Sequence, residues 1–515
     1  MLVIAAASPA VAEVIASPAA EKTAVTLYRA GSEPFQTLQP WQREQALKKG
    51  LILVTETRTV TLPAGRHTLR FDAVADGLIP QSTAVDGLPG GMIERNYDYA
   101  LLSLGTLLER SLNQQVGIVR TNAKTGRQTA ESAIVRQGPN GVVLQTANGV
   151  EALGCSGGAE RLVFDQIPAG LSNKPSLSTL IDVPTATTVK LTLSYLAIGV
   201  NWQADYVARI APDGKTLDLT GWLTLVNSSG TSFVDAPTQT VAGALSRVPV
   251  NIPKADTKAI NRACWPMDTT THGRSPPPPA PPPPPPMMAM AAPAGAAREE
   301  IVVTAQRTKL AEQSDLGDYK LYTLPEPVTV AARQTKQVAF LDQKGVAFQR
   351  LYVVSVDPWN DYEDGSDPVR PDVMLRLENK IANGLGKSLP AGALSVMETI
   401  GGRPAFAGEQ AVRDVPVGEP LDLTIGQAMD VRARPRLVED ARPGKNRVRR
   451  TYEVDLSNAK TIPVTVELRQ NPDVPMFKVV AEPARHDIRQ GQVAWRITLA
   501  PGETRTFRYA IEYGG

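Results

Sequence analysis

Apolar and polar side chains alternate with a period of two through most of this chain. Val189, Leu191, Leu193 and Tyr195 alternate with Lys190, Thr192 and Ser194, the pattern of a strand with one wet face. Trp202, Ala204, Tyr206, Ala208 and Ile210 share the next apolar face, opposite Gln203, Asp205 and Arg209. Pro212, Asp213 and Gly214 then supply turn chemistry, and Leu217, Leu219, Leu223 and Leu225 complete an antiparallel meander. Each buried aromatic removes about 150–250 Å² from water, so the Trp and Tyr residues here are expected to nucleate a sandwich core.

The flanking text has the same period. LILVTETRTVTL, the turn Pro63-Ala64-Gly65 and HTLRFDAV read as a hairpin. WRITLAPGETRTFRYAIEY at the other end reads as a second one around Pro501-Gly502, an echo that points to two similar sandwich modules. Between Tyr97 and Leu112 the period changes. Leu101, Leu104, Leu108 and Leu112 recur at helical intervals, which predicts one amphipathic helix over about 97–113. The stretch after it is broken by Thr125-Gly126, Asn140-Gly141 and Asn148-Gly149, turn pairs that predict a small inserted barrel of short strands.

The predicted fold is mainly β: two or more antiparallel sandwich units of immunoglobulin-like type, a small barrel-like insertion, one short helix and a Pro-rich disordered insertion. Residues 1–20 read as a leader or tail and 21–185 as an N-terminal β domain. Residues 186–265 hold the central meander, 266–310 the insertion, 311–370 the continuation of the central domain, and 371–515 a C-terminal sandwich. The insertion contains SPPPPAPPPPPP from Ser275 to Pro286. Polyproline has no backbone donors and extends by about 3.1 Å per residue, so it serves as a semi-rigid spacer.

Composition narrows the function classes. Fifty-four Lys and Arg face 52 Asp and Glu, scattered along the chain, which argues against a nucleic-acid partner. The first residues, MLVIAAASPAVA, form a short apolar run ending in the small-residue spacing Ala10-Val11-Ala12, with no Lys or Arg before Lys22. They read as a signal peptide lacking its basic region, or as a floppy apolar tail. No other run approaches the roughly 20 apolar residues that a spanning helix needs, so a periplasmic or secreted protein is expected. In an oxidising compartment Cys155 and Cys264 are expected to pair as a disulfide, the alternative being two separate buried thiols.

Candidate chemistry is thin. Gly154-Cys155-Ser156-Gly157-Gly158 satisfies the G-x-S-x-G pattern of a nucleophile elbow. An elbow needs a strand before it, a helix after it and a positioned histidine, whereas a strand-like stretch follows here and the histidines are His67, His272 and His486. The acidic stretch Asp357, Asp361, Glu363, Asp364, Asp367 and Asp372 offers hard oxygen ligands, but its spacing is not that of an EF-hand and its prolines mark exposed turns. No catalytic set, cofactor or metal site is therefore assigned.

Two resemblances add to this reading. NWQADYVARI, DLTGWLTLVNSSGTSF and TQTVAG, with LENKIANGLGKSLPAGALSVME and FAGEQAVRDVPVGEPLDL further on, resemble domain of unknown function 4139, the C-terminal domain of mucoidy-inhibitor-like envelope proteins. That resemblance implies an envelope-associated β-rich protein and carries over no catalytic residue. EEIVVTAQR, directly after the spacer, resembles the TonB box of outer-membrane receptors. It implies that Glu300, Ile301, Val302, Val303, Thr304 and Ala305 bind a protein partner, TonB, by adding a strand to its sheet. Three functions stay open: an envelope structural or interaction protein, a TonB-interacting accessory of outer-membrane transport, and an enzyme of unrecognised type.

Overall fold

The computed structural model describes residues 14–246 and 309–514, apart from residues 30–38, 99–103 and 154–158 and several shorter stretches. The chain is mainly β, as its alternation predicts. It divides into two units. Of the described residues, the first holds 14–22 and Glu56–Tyr195; the second holds most of Thr23–Thr55, Leu196–Val248 and Lys309–Gly515.

In the first unit, a four-stranded sheet has the order Val14–Ser17, Gly65–Asp72, Ser176–Val183, Met92–Asp98. Val14–Ser17 pairs in parallel with residues 68–71. A buried polar knot holds it there. The Arg58 guanidinium, 1% exposed, donates to the Glu56 carboxylate at 2.7 and 2.9 Å, to the Ser17 carbonyl at 2.8 Å and to the Asp72 carbonyl at 2.9 Å. The Tyr195 hydroxyl donates to Glu56 at 2.6 Å and accepts from the Ala75 amide at 3.0 Å.

The predicted small barrel is a five-stranded antiparallel sheet that does not close. Its order is Gly149–Leu153, Val142–Thr146, Gln128–Gln137, Gln115–Thr121, Ala159–Val163. A barrel needs its outer strands to pair, and here Gly149–Leu153 and Ala159–Val163 stay at opposite edges. A helix seals the apolar face instead. Leu108, on the helix Leu104–Arg110, is buried with Val116, Ile118, Val135 and Leu144. The helix is shorter than the leucine spacing predicts, because Tyr97 and Asp98 end the strand Met92–Asp98 in register with Leu177 and Ser176.

In the second unit, Val200–Ile210 and Thr216–Asn227 pair through eleven residues, with Trp202 opposite Leu225. The first strand of the predicted meander leaves them. Thr187–Ile198 pairs with Ala84–Asp86, and Gly199, at φ +100°, redirects the chain. The place beside Thr216–Asn227 is taken by Gln334–Val356, a 23-residue strand that serves as a spine. Its first part pairs with Thr216–Asn227 and its second with Asp372–Glu378 and Val464–Gln470. Gly221 allows the close crossing, since a Cβ there would lie 2.8 Å from the Phe340 ring.

A four-stranded sheet, ordered Val431–Gly444, Arg447–Asn458, Thr504–Gly514, Lys478–Ala481, contributes the second inner face of a sandwich. Val354, Val466, Leu468 and Trp495 meet Val454, Phe507, Tyr509 and Ile511 in one buried cluster. Both predicted terminal hairpins are in fact arches between sheets. Gln492–Leu499 pairs with Val464–Gln470, whereas Thr504–Gly514 pairs with Arg447–Asn458. Gly65–Asp72 likewise pairs with Ser176–Val183 and not with Leu51–Leu62. An arch and a hairpin share the same alternation, and the aromatic contact across the core selects the arch: Trp495 and Tyr509 have ring centroids 4.4 Å apart.

Candidate functional site

In the second unit, four segments converge on Ser388-Leu389-Pro390-Ala391. Tyr322 comes from the strand Tyr319–Thr323 and Tyr206 from Val200–Ile210; Arg29 follows Lys22–Tyr28, and Asp414 follows Arg403–Val412. Their side chains take up the backbone groups of the crossing segment. The Tyr322 hydroxyl donates to the Ser388 carbonyl at 3.0 Å and the Tyr206 hydroxyl to the Pro390 carbonyl at 2.6 Å. Asp414 accepts the Ala391 amide at 2.8 Å and, through its other oxygen, the Arg29 guanidinium at 2.7 Å. Leu389 and Val415 exchange two backbone hydrogen bonds at 2.9 Å.

Aromatic packing fixes these donors. Phe340 stands edge-on to Tyr206 at 5.7 Å and to Tyr322 at 5.4 Å, and the Arg29 guanidinium lies 5.8 Å from the Trp202 ring centroid. Burial drives the Tyr206 and Tyr322 hydroxyls above their ordinary range, so both stay protonated and donate at neutral pH. Beside the segment is a cleft of about 170 Å³ lined by Asp318, Lys320, Tyr322, Leu389, Pro390 and Asp414.

The loop leading into this segment is fixed as well. Asn379, fully buried, donates to the Lys387 carbonyl at 2.7 Å and the Pro416 carbonyl at 2.9 Å, and accepts the Lys387 amide at 3.2 Å. Ile381, on the same loop, is 82% exposed. An apolar side chain is thus presented to water by a loop tied down at both ends.

A second constellation is ionic and buried. Arg376 forks onto Asp422 at 2.7 and 2.8 Å and reaches Glu467 at 2.7 Å, and Arg469 meets Glu467 at 2.6 Å. Burial alone would raise the Glu467 carboxyl, but the hydrogen bonds from Arg376 and Arg469 bring it below its ordinary value. Asp422 comes first among the groups that raise Arg376. Every charge here is matched by an opposite one, which makes the cluster a fastener between strands.

Cys155, Cys264 and the segment from Glu300 to Ala305 lie outside the described residues, as do His272, the G-x-S-x-G stretch, Asp361, Glu363 and Asp364. His67 Nε2 is 3.1 Å from the Ala64 carbonyl, inside a turn. His486 sits beside Glu482 at 2.8 Å, and Glu482 also accepts the Trp495 indole N–H at 2.8 Å. Asp357 accepts the Trp359 amide at 2.9 Å, a turn bond. Among the described residues no three His, Cys, Asp or Glu side chains gather as a metal-binding group. Sequence reading did not find Arg29, Tyr322 or Asp414, because 385 positions separate Arg29 from the aspartate it meets.

The profile of a family described as Domain of unknown function (DUF4139) matches residues 191–513, which include Tyr206, Tyr322, the 388–391 segment and Asp414. No curated protein matches the chain.

Proposed function

The chain belongs to the DUF4139 family, and on that premise we propose that it is a periplasmic protein-interaction protein whose β modules present rigid loops to other envelope proteins. The observation that carries this reading is Ile381, 82% exposed on a loop that Asn379 and Tyr322 anchor. An apolar contact held in place loses little entropy on binding, which is the economy that preorganised protein-binding loops use. No helix among the described residues is long and apolar enough to cross a membrane.

The test is a photo-crosslinking residue at position 381, with one at position 190 as control, in cells fractionated by osmotic shock. Periplasmic recovery with adducts at 381 and none at 190 is the expected result. Cytosolic recovery, or equal labelling at both positions, would overturn the reading.

A second reading rests on EEIVVTAQR following the polyproline spacer. Ile301, Val302 and Val303 are strong β formers, suited to adding a strand to the TonB C-terminal domain. Calorimetry with the synthetic peptide and a Val302→Pro version tests it: heat from the first and none from the second is expected, and equal heats would end it.

A further inference from the structure

The hairpin Val431–Gly444 and Arg447–Asn458 has an unusual charge balance. Residues 431–458 contain seven Arg and one Lys against four acids, a net +4, whereas the whole 515-residue chain sums to only +2. The remainder of the chain is therefore slightly net negative, so the chain's net positive excess comes from this element.

The carboxylates beside it are oversubscribed. Glu453 accepts from Arg436 and from Arg508, both at 3.2 Å, and Glu512 accepts from Arg447 at 3.2 Å and Arg449 at 3.0 Å. Asp455 also takes Arg436, and Asp440 takes Arg450, each at 3.1 Å, so four carboxylates serve five guanidiniums. Arg434, Arg442 and Lys445 are exposed and have no carboxylate partner among the described residues. Arg434 to Arg442 spans roughly 25 Å along a strand, too far for one small anion to touch both ends.

We propose that this hairpin docks the protein on an anionic phospholipid surface, its free guanidiniums engaging headgroup phosphates. Three features favour a bilayer. Seven of the eight cations are arginine, whose planar fork fits phosphate oxygens in pairs. The unpaired cations lie on an edge strand and an exposed turn, as contact with a plane requires. Val438, at a bulge of the same edge strand and 41% exposed, adds apolar surface that the headgroup boundary accepts. The proposal goes beyond protein interaction and holds whichever compartment contains the chain.

Sedimentation of the full chain with vesicles tests it, using phosphatidylcholine alone or with a third phosphatidylglycerol, in low and in 0.5 M salt. Binding to the anionic vesicles only, lost in high salt, is expected. The triple variant R434Q/R442Q/K445Q removes cations without stranding a carboxylate, and is expected to bind about a hundredfold more weakly, since each basic group near such a surface contributes roughly fivefold. A control, K190Q/K215Q/R403Q, removes the same charge elsewhere and should bind like the wild type. Equal loss in both variants, equal binding to neutral vesicles, or retention on an immobilised acidic protein without vesicle binding would overturn the proposal, the last in favour of a protein partner. A circular dichroism melt of each variant identifies loss of binding that comes from unfolding.

Discussion

Arg29 and Asp414, 385 positions apart, meet at 2.7 Å, and the meeting is unequal: the arginine side chain is 3% exposed and the aspartate 42%. Asp414→Ala takes the carboxylate from a buried guanidinium, which keeps its 3.4 Å bond to the Ala391 carbonyl, and frees the Ala391 amide, whereas Arg29→Met leaves a carboxylate that water can still reach. Asp414→Ala is therefore expected to cost about 3 kcal/mol and Arg29→Met less. Urea midpoints rank the two, and the opposite order would refute the account.

The buried Arg376–Glu467–Arg469 cluster sets a pH dependence. The Glu467 carboxyl titrates below its ordinary 4.5 in the folded state, so its contribution is complete above pH 4.5 and is lost as pH falls through the folded value. Glu467→Gln is expected to lose about 3 kcal/mol at pH 7, and to show a flatter stability profile below pH 4.5 than the wild type. Denaturant titrations from pH 3 to 7 measure both.

Gly392 passes directly over the backbone of Ala204. A Cβ there would lie 1.8 Å from the Ala204 carbonyl oxygen, inside the parallel pairing of Gly392–Ile400 with Val200–Ile210. Gly392→Ala is expected to prevent folding or to lower the thermal midpoint by more than 10 °C, while Gly214→Ala, at an open turn, has a smaller effect. Similar midpoints for the two variants would contradict this.

In protein exported to the periplasm, Cys155 and Cys264 are expected to form a disulfide, which in the chain-entropy model stabilises by about 4–5 kcal/mol. Thiol titration under denaturing conditions should find no reactive group before reduction and two after it.

The sequence by itself determined the local structure. The alternation at 200–210 and 216–227 specified two strands and their apolar faces, because side chains on a pleat must point to opposite sides. The leucine period around Leu108 specified a helix for an equally local reason, although the strand pairing of Tyr97 cut its length. Alternation does not say which strand will be the neighbour. Residues 492–514 and 51–72 each read as a hairpin and each forms an arch, since the same two faces can be satisfied by hydrogen bonding within one sheet or by packing across two. Only the packed core decides between these, as where it places Trp495 against Tyr509 across the 492–514 arch. The convergence on residues 388–391 was beyond sequence reading for the same reason. Its tyrosines, arginine and aspartate gain their roles from backbone carbonyls and amides that come within reach only after the distant strands have paired.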